Sequence, residues 1–162
     1  MSELMTNSKA SDRELAKRLG VSQPTVSRTR SKLEKEGYIR EYAAIPDFDK
    51  LGFEIMAVSF FGFSGQPSEK KIEELRNIAK GLQTKMELPM IMAMSGRGLS
   101  SDRIVISLHE DYSAYSRFLR LVRQVSTQGI AKFESFVIDL KDKSHFQPLT
   151  MATLGKYLLK LK

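Results

Sequence analysis

The sequence predicts an α+β chain in two parts: a winged helix-turn-helix followed by a ferredoxin-like (βαββαβ) antiparallel-sheet domain. Three observations predict it. Ser11–Ile39 (SDRELAKRLGVSQPTVSRTRSKLEKEGYI) has the caps, turn and apolar spacing of two helices joined by a tight turn. From Phe53 to Leu140, β-branched and aromatic runs alternate with helical ones in the order strand, helix, strand, strand, helix, strand. Between the two parts, Pro46, Asp47, Asp49 and Gly52 crowd together, which marks a turn and a domain boundary near residue 50. The expected parts are residues 1–50, residues 51–142 and a C-terminal amphipathic helix within residues 146–162.

In the first part, Ser11 and Glu14 form an S-x-x-E capping box, which satisfies free amide donors at a helix start. The helix then runs to about Leu19, with Leu15, Ala16 and Leu19 on one face. Gly20 takes the turn, where a residue without a Cβ reaches positive φ cheaply. Val21 is expected to anchor that turn in the core. Ser22 is a good N-cap, and Pro24 is harmless in a first turn whose amides have no helical acceptor. Val26, Thr29, Arg30 and Leu33 follow at spacings of three and four. Val26, Leu33 and the Thr29 methyl are expected to face inward.

The other face of the second helix carries Gln23, Thr25, Ser27, Arg28, Ser31, Lys32 and Lys35, with Glu34 its one acid. Ser22 joins this set at the helix start. Such a mixture suits a helix in a major groove, where Arg, Gln, Ser and Thr read base edges while Lys and Arg neutralise phosphates. An ordinary surface hairpin would share the charge. It would not need Ala16, Gly20 and Val26 in this arrangement, which is that of a DNA-binding helix-turn-helix. Only Met1–Lys9 precede the capped helix, so its usual preceding helix is either very short or begins upstream. After Gly37, Tyr38–Ala44 has strand character, with Ile39 and Tyr42 as core candidates. Arg40, in a wing or connecting strand, is a candidate phosphate contact.

Composition agrees with an acidic partner. The chain has 162 residues, is 41% hydrophobic and carries a net charge of +7. Its pI is near 9.6, which places nucleic acid first among partners. There is no cysteine, so disulfides and thiolate zinc sites are excluded. The longest nearly unbroken apolar run, Ile55–Phe63, is far short of the roughly 20 residues a membrane helix needs. No charged-then-apolar leader opens the chain. A cytoplasmic protein that does not engage membranes is expected.

In the second part, strands are expected at Phe53–Phe63, Leu88–Ser95, Asp102–His109 and Ala131–Leu140. The first helix, Glu69–Leu82, aligns Ile72, Leu75, Ala79 and Leu82. The second, capped by Asp111, aligns Tyr115, Phe118, Leu119, Val122 and Val125 and ends before Gly129. Ser64–Ser68 is a loop and Gly96–Ser101 a turn between strands. Both faces of the first strand are apolar, since Met56, Val58 and Phe60 alternate with Ile55, Ala57 and Phe61. A lone antiparallel sheet would keep its outer face polar, so a second copy of the sheet is expected to cover it. In the tail, Leu154, Leu158 and Leu161 share one side and pack on protein.

No chemistry beyond binding is visible. His109 and His145 have no ligand-spaced partners, so no metal or cofactor is expected. Gly96-Arg97-Gly98 lacks the Gly-Lys-Ser/Thr ending of a phosphate loop, and no serine sits in a nucleophile elbow. No catalytic set and no enzyme are expected.

Glu14–Phe53 (ELAKRLGVSQPTVSRTRSKLEKEGYIREYAAIPDFDKLGF), followed by the βαββαβ half, resembles the Lrp/AsnC family, the feast/famine transcription regulators. The resemblance covers about residues 4–140. It implies a sequence-specific DNA-binding regulator that assembles as a homodimer or as a higher oligomer such as an octamer. It also implies a small effector, usually an amino acid, bound at subunit interfaces beside the turn between the middle strands. Here that turn supplies Gly96, Arg97, Gly98, Ser100, Ser101 and Asp102, of which Gly96 and Asp102 match the family's pattern. Arg97 makes the loop longer than the family's. The tail also departs, extending past the expected end. An alternative is an enzyme of similar two-part build, the sirohaem (tetrapyrrole) decarboxylases. Against it, a cationic, serine-rich helix face suits a duplex and has no obvious use in porphyrin chemistry. A third reading is a ligand-sensing partner protein whose DNA-binding half is vestigial.

Overall fold

Side chains spaced for helices and side chains spaced for strands bury separate cores. A computed structural model describes residues 1–63, 65, 68–86, 90–126, 130–144 and 147–160. It divides the chain into two units: Met1–Pro46 with the tail from residue 145, and Asp47–Ser144. Leu88, Gly129, His145 and Leu161 lie outside the described residues. So do the side chains of Leu75, Ala79, Leu82 and Val125.

The first unit contains α1 (Ser2–Thr6), α2 (Asp12–Leu19), α3 (Gln23–Lys35) and, from the tail, α6 (Ala152–Lys160). Its core is Leu4, Ala10, Leu15, Ala16 and Val26, with Ile39 packed against it. Gly20 ends α2 in the left-handed region at φ 67°. Three expectations for this core are corrected. Leu19 is 53% exposed and Val21 44% exposed. The five-residue α1 buries one side chain, Leu4, and the interior it closes is filled by the residues just named. Thr29 is also exposed, because its Oγ1 donates to the Thr25 carbonyl (2.8 Å) and ties the side chain to its own helix.

Residues 38–44 form no strand, because an extended segment needs a neighbour to bond, and none pairs with it among the described residues. Tyr42 is accordingly exposed and not a core residue. The tail does form a helix, but its buried line is not the expected one. Gly155 is buried and Ala152 and Leu158 are half-buried, whereas Leu154 is 48% exposed.

The second unit is a four-stranded antiparallel sheet in the order β2-β3-β1-β4, as the ferredoxin-like pattern requires. The strands are β1 (Ile55–Phe63), β2 (Met90–Gly98), β3 (Ser101–His109) and β4 (Ile130–Asp139). The helices are α4 (Glu69–Met86) and α5 (Tyr112–Ser126). Asp111 Oδ1 accepts from the Ala114 amide (2.7 Å) and caps α5 as expected. Tyr115, Phe118 and Val122 of α5 pack over Ala57, with Ile55, Phe61, Leu119 and Phe133 around them.

Polar groups buried beneath this helix pair with one another. Ser59 and Ser135 are joined through their hydroxyls (3.1 Å), and Ser107 Oγ lies 2.9 Å from His109 Nε2. The His109 ring stands 5.3 Å from both Tyr115 and Phe118, and burial lowers its pKa to about 4, so it is neutral at physiological pH.

The opposite face carries the even-numbered residues of β1. Val58 pairs with Ile106 and Phe136, Phe60 with Ile104, and Met94 also with Ile104. Met94 is 58% exposed and Phe136 66% exposed, so this face is apolar and open in the single chain. At the border of the unit, Lys141 pairs with Glu54, and Lys143 with Asp49 at 2.9 Å. Each lysine holds its proton more firmly beside its carboxylate, and the Asp49 carboxyl is lowered by Lys143. These pairs fasten the entry of the chain into this unit to its exit.

The expected long turn after Ser95 is corrected. β2 continues through Gly98, and the connection is only Leu99–Ser100, both with positive φ (50° and 53°). Two successive left-handed residues make the tight hairpin turn whose twist matches that of the flanking strands.

Candidate nucleic-acid interface

The surface of α3 is built from its cap outward. Ser22 Oγ accepts from the Thr25 amide (3.3 Å) and lies 2.8 Å from Thr25 Oγ1, so both hydroxyls hold the first turn. Past that turn, Ser27, Arg28, Ser31, Lys32, Lys35 and Glu36 line one shallow hollow of about 460 Å³. Gln23, Thr25, Ser27, Arg28, Ser31, Lys32 and Lys35 are all exposed, as is Arg40 in the segment beyond the helix.

Two acids temper this face. Glu36 lies 3.8 Å from Lys32 Nζ. Glu34 instead accepts a hydrogen bond from the Tyr42 hydroxyl (2.7 Å), which ties it to the segment after α3. Arg28 Nε donates to the Pro24 carbonyl (3.3 Å), so in the free chain this guanidinium lies along its own helix.

What aims α3 lies behind it. Arg30 Nε is 2.9 Å from Asp12 Oδ1, and its terminal amine donates to the Ala10 carbonyl (2.9 Å). The Tyr42 ring is 5.9 Å from the same guanidinium. One half-buried arginine thus joins α3 to the first turn of α2 and to the segment that follows α3. The capping box forms as expected: the Ser11 amide donates to Glu14 Oε2 (2.7 Å) and the Glu14 amide to Ser11 Oγ (3.2 Å). The Glu14 carboxyl is correspondingly lowered by the Ser11 backbone bond.

The residues expected at the effector turn are gathered at one end of the sheet. Gly96, Arg97 and Gly98 are exposed on β2, and Ser100 lies in the turn. Ser101 is buried, and its Oγ donates to the Leu99 carbonyl (3.2 Å). Asp102 Oδ2 accepts from the Phe63 amide (2.9 Å), and Lys132 Nζ donates to the Leu99 carbonyl (2.9 Å). A Cβ on Gly62 would stand 2.6 Å from the Ser100 carbonyl. Ser101 and Asp102 therefore secure the hairpin, and Arg97 is an exposed cation at its edge.

Three positions escape a reading by spacing alone. Arg30 falls by spacing among the inward side chains, and a cation at an inward position, with an acid at the start of the preceding helix, is the signal of its partner. A glycine inside a strand marks Gly62, and a glycine inside an apolar helix marks Gly155.

Among the described residues, no group of three or more His, Asp or Glu could hold a metal ion, and no helix is long and apolar enough to cross a membrane. The winged helix-turn-helix DNA-binding family matches residues 1–40. An HTH-type transcriptional regulator of Methanocaldococcus jannaschii is 30% identical over 113 residues, covering 70% of each chain. The crystal structure of PH0061, an HTH-type transcriptional regulator of Pyrococcus horikoshii, superposes with a TM-score of 0.69 at 26% identity, covering 91% of this chain and 90% of that one. The feast or famine regulatory protein from M. tuberculosis, complexed with L-methionine, has the same fold, with a TM-score of 0.65 at 18% identity over 92% of each chain. With the capped helix pair and the β2-β3-β1-β4 sheet on one chain, these likenesses show that it belongs to the Lrp/AsnC family of DNA-binding helix-turn-helix transcription regulators.

Proposed function

We propose that this regulator reads a specific DNA sequence with the exposed face of α3. Arg28 contacts a base edge, assisted by Gln23 and Ser27, while Thr25 and Ser31 line the same face. Lys32, Lys35 and Arg40 neutralise phosphates, and Ser22 meets the backbone at the helix start. The observation that carries this reading is the exposed face of α3, where Ser27, Arg28, Ser31, Lys32 and Lys35 lie together with Glu36 at the helix end, on a helix that Arg30 ties from behind to α2. Two copies joined through the apolar sheet face would set two such helices in major grooves one helical turn apart, or a multiple of it. The exposure of Phe136 and Met94, which such a pairing would cover, supports it, and larger assemblies such as octamers would build on it.

A small effector, such as an amino acid, adjusts DNA binding from the Gly96–Asp102 hairpin, where Arg97 offers an exposed cation. The L-methionine complex of the M. tuberculosis protein supports this choice of class. The test is fluorescence anisotropy on a duplex from upstream of the chain's own gene and on a random duplex, at several salt concentrations and with and without L-methionine. Tighter binding to the upstream duplex, with a salt slope set by several phosphates, supports the reading. Equal weak binding to both contradicts sequence-specific control of its own gene. An affinity that L-methionine leaves unchanged argues against that effector.

A further inference from the structure

The tail is not a separate appendage. α6 packs along α1, and the point of contact is Gly155. A Cβ there would stand 2.8 Å from the Ser2 carbonyl, 2.9 Å from Thr6 Oγ1 and 3.1 Å from Met5 Cβ. Only the absence of a side chain lets the two helices approach so closely. Gly155 is also the one residue of α6 that is fully buried.

The helix it reaches is the shortest of the DNA-binding unit. α1 is five residues long, and a helix of that length has no independent stability in water. Yet α1 supplies Leu4 to the core that holds Leu15, Ala16 and Val26, and Glu3 on the same helix lies 3.4 Å from Arg18 of α2. Support therefore runs from α6 through α1 and the Leu4 core to α3.

We propose that α6 is a working fourth helix of the DNA-binding unit and that Gly155 is a positioning residue for DNA recognition. It touches no DNA itself. It lets a segment nearly the whole chain away in sequence hold α1, and hence α3, in binding geometry. The inference rests on the α3 reading above.

The test uses the full chain with Gly155→Ala, Gly155→Leu and, as a control on the exposed side of α6, Leu154→Ala. Each is titrated against the upstream and random duplexes at several salt concentrations, and amide hydrogen exchange is followed in parallel. Gly155→Leu should weaken binding at least ten-fold on both duplexes, with Gly155→Ala between it and the parent and Leu154→Ala like the parent. The salt slope should not change, because no phosphate contact is removed. Amides of α1 and α6 should lose protection while those of β1 and β3 keep theirs, which separates loss of α6 docking from failure of the chain to fold.

Gly155→Leu binding within two-fold of the parent would overturn the proposal. So would a reduced salt slope, which would make α6 a phosphate contact instead. If the parent binds neither duplex, the α3 reading fails. The positioning role in DNA recognition then fails with it, while exchange in α1 still reports whether α6 supports that helix.

Discussion

Arg30 of α3 and Asp12 of α2 stand 2.9 Å apart, so α3 is fastened to the first turn of the helix before it. The same guanidinium bonds the Ala10 carbonyl and faces the Tyr42 ring. Arg30→Met should leave Asp12 and that carbonyl without their partner, costing roughly 1–3 kcal/mol of stability in the first unit. Affinity for upstream and random duplexes should fall by the same factor. Hydrogen exchange in α2 and α3, beside an anisotropy titration, checks both halves; loss confined to the upstream duplex would instead make Arg30 a base contact.

Gly62 should be among the least replaceable residues of the sheet. Gly62→Ala drives a Cβ into the Ser100 carbonyl, which backbone on both sides prevents from moving freely. Overpacking of this kind costs roughly 1–3 kcal/mol. Denaturant unfolding should show that loss, and the Phe63 amide, now bonded to Asp102, should exchange faster. An unchanged midpoint would mean that the hairpin shifts at no cost.

His109 gives the second unit an acid-sensitive stability. Its folded pKa of about 4 lies below the ordinary 6.5. Between those values the unfolded chain binds a proton that the folded chain refuses, so the stability is whole above about pH 6.5 and drains away as pH falls toward 4. At about 1.4 kcal/mol per unit of pKa, the loss is on the order of 3 kcal/mol. His109→Gln, which can keep a bond to Ser107, should flatten that part of the pH profile measured by thermal unfolding. An identical slope in the variant would assign the acid sensitivity to carboxylates.

Local chemistry was legible in the sequence, and remote packing was not. The Ser11–Glu14 box, the Gly20 turn and the Asp111 cap depend on neighbours within four residues, and each stands where the sequence puts it. The strand order follows from the alternation of elements. By contrast, Val21 and Leu19 read as core by apolarity alone, and nothing local tells that the interior is already filled by Leu4, Ala10, Leu15, Ala16 and Val26. Tyr38–Ala44 has strand composition, but no strand among the described residues pairs with it. The β2–β3 turn looked long because two glycines flank Arg97, whereas Leu99 and Ser100 take the left-handed positions. The roles of Gly62 and Gly155 depend on backbone that arrives from positions 38 and 153 residues away, at Ser100 and Ser2, which no spacing rule reaches. On the α3 face, the exposure of the expected cations and serines follows from helical period. Which of them meet a base does not.

The most direct measurement is therefore the affinity of Arg28→Ala and Lys32→Ala, each compared with the parent on the upstream and random duplexes by fluorescence anisotropy. If α3 reads sequence through Arg28, Arg28→Ala loses about 1–3 kcal/mol of preference for the upstream duplex and little on the random one, while Lys32→Ala weakens both alike with a shallower salt slope. Equal loss on both duplexes for Arg28→Ala would contradict the assignment of base reading to Arg28.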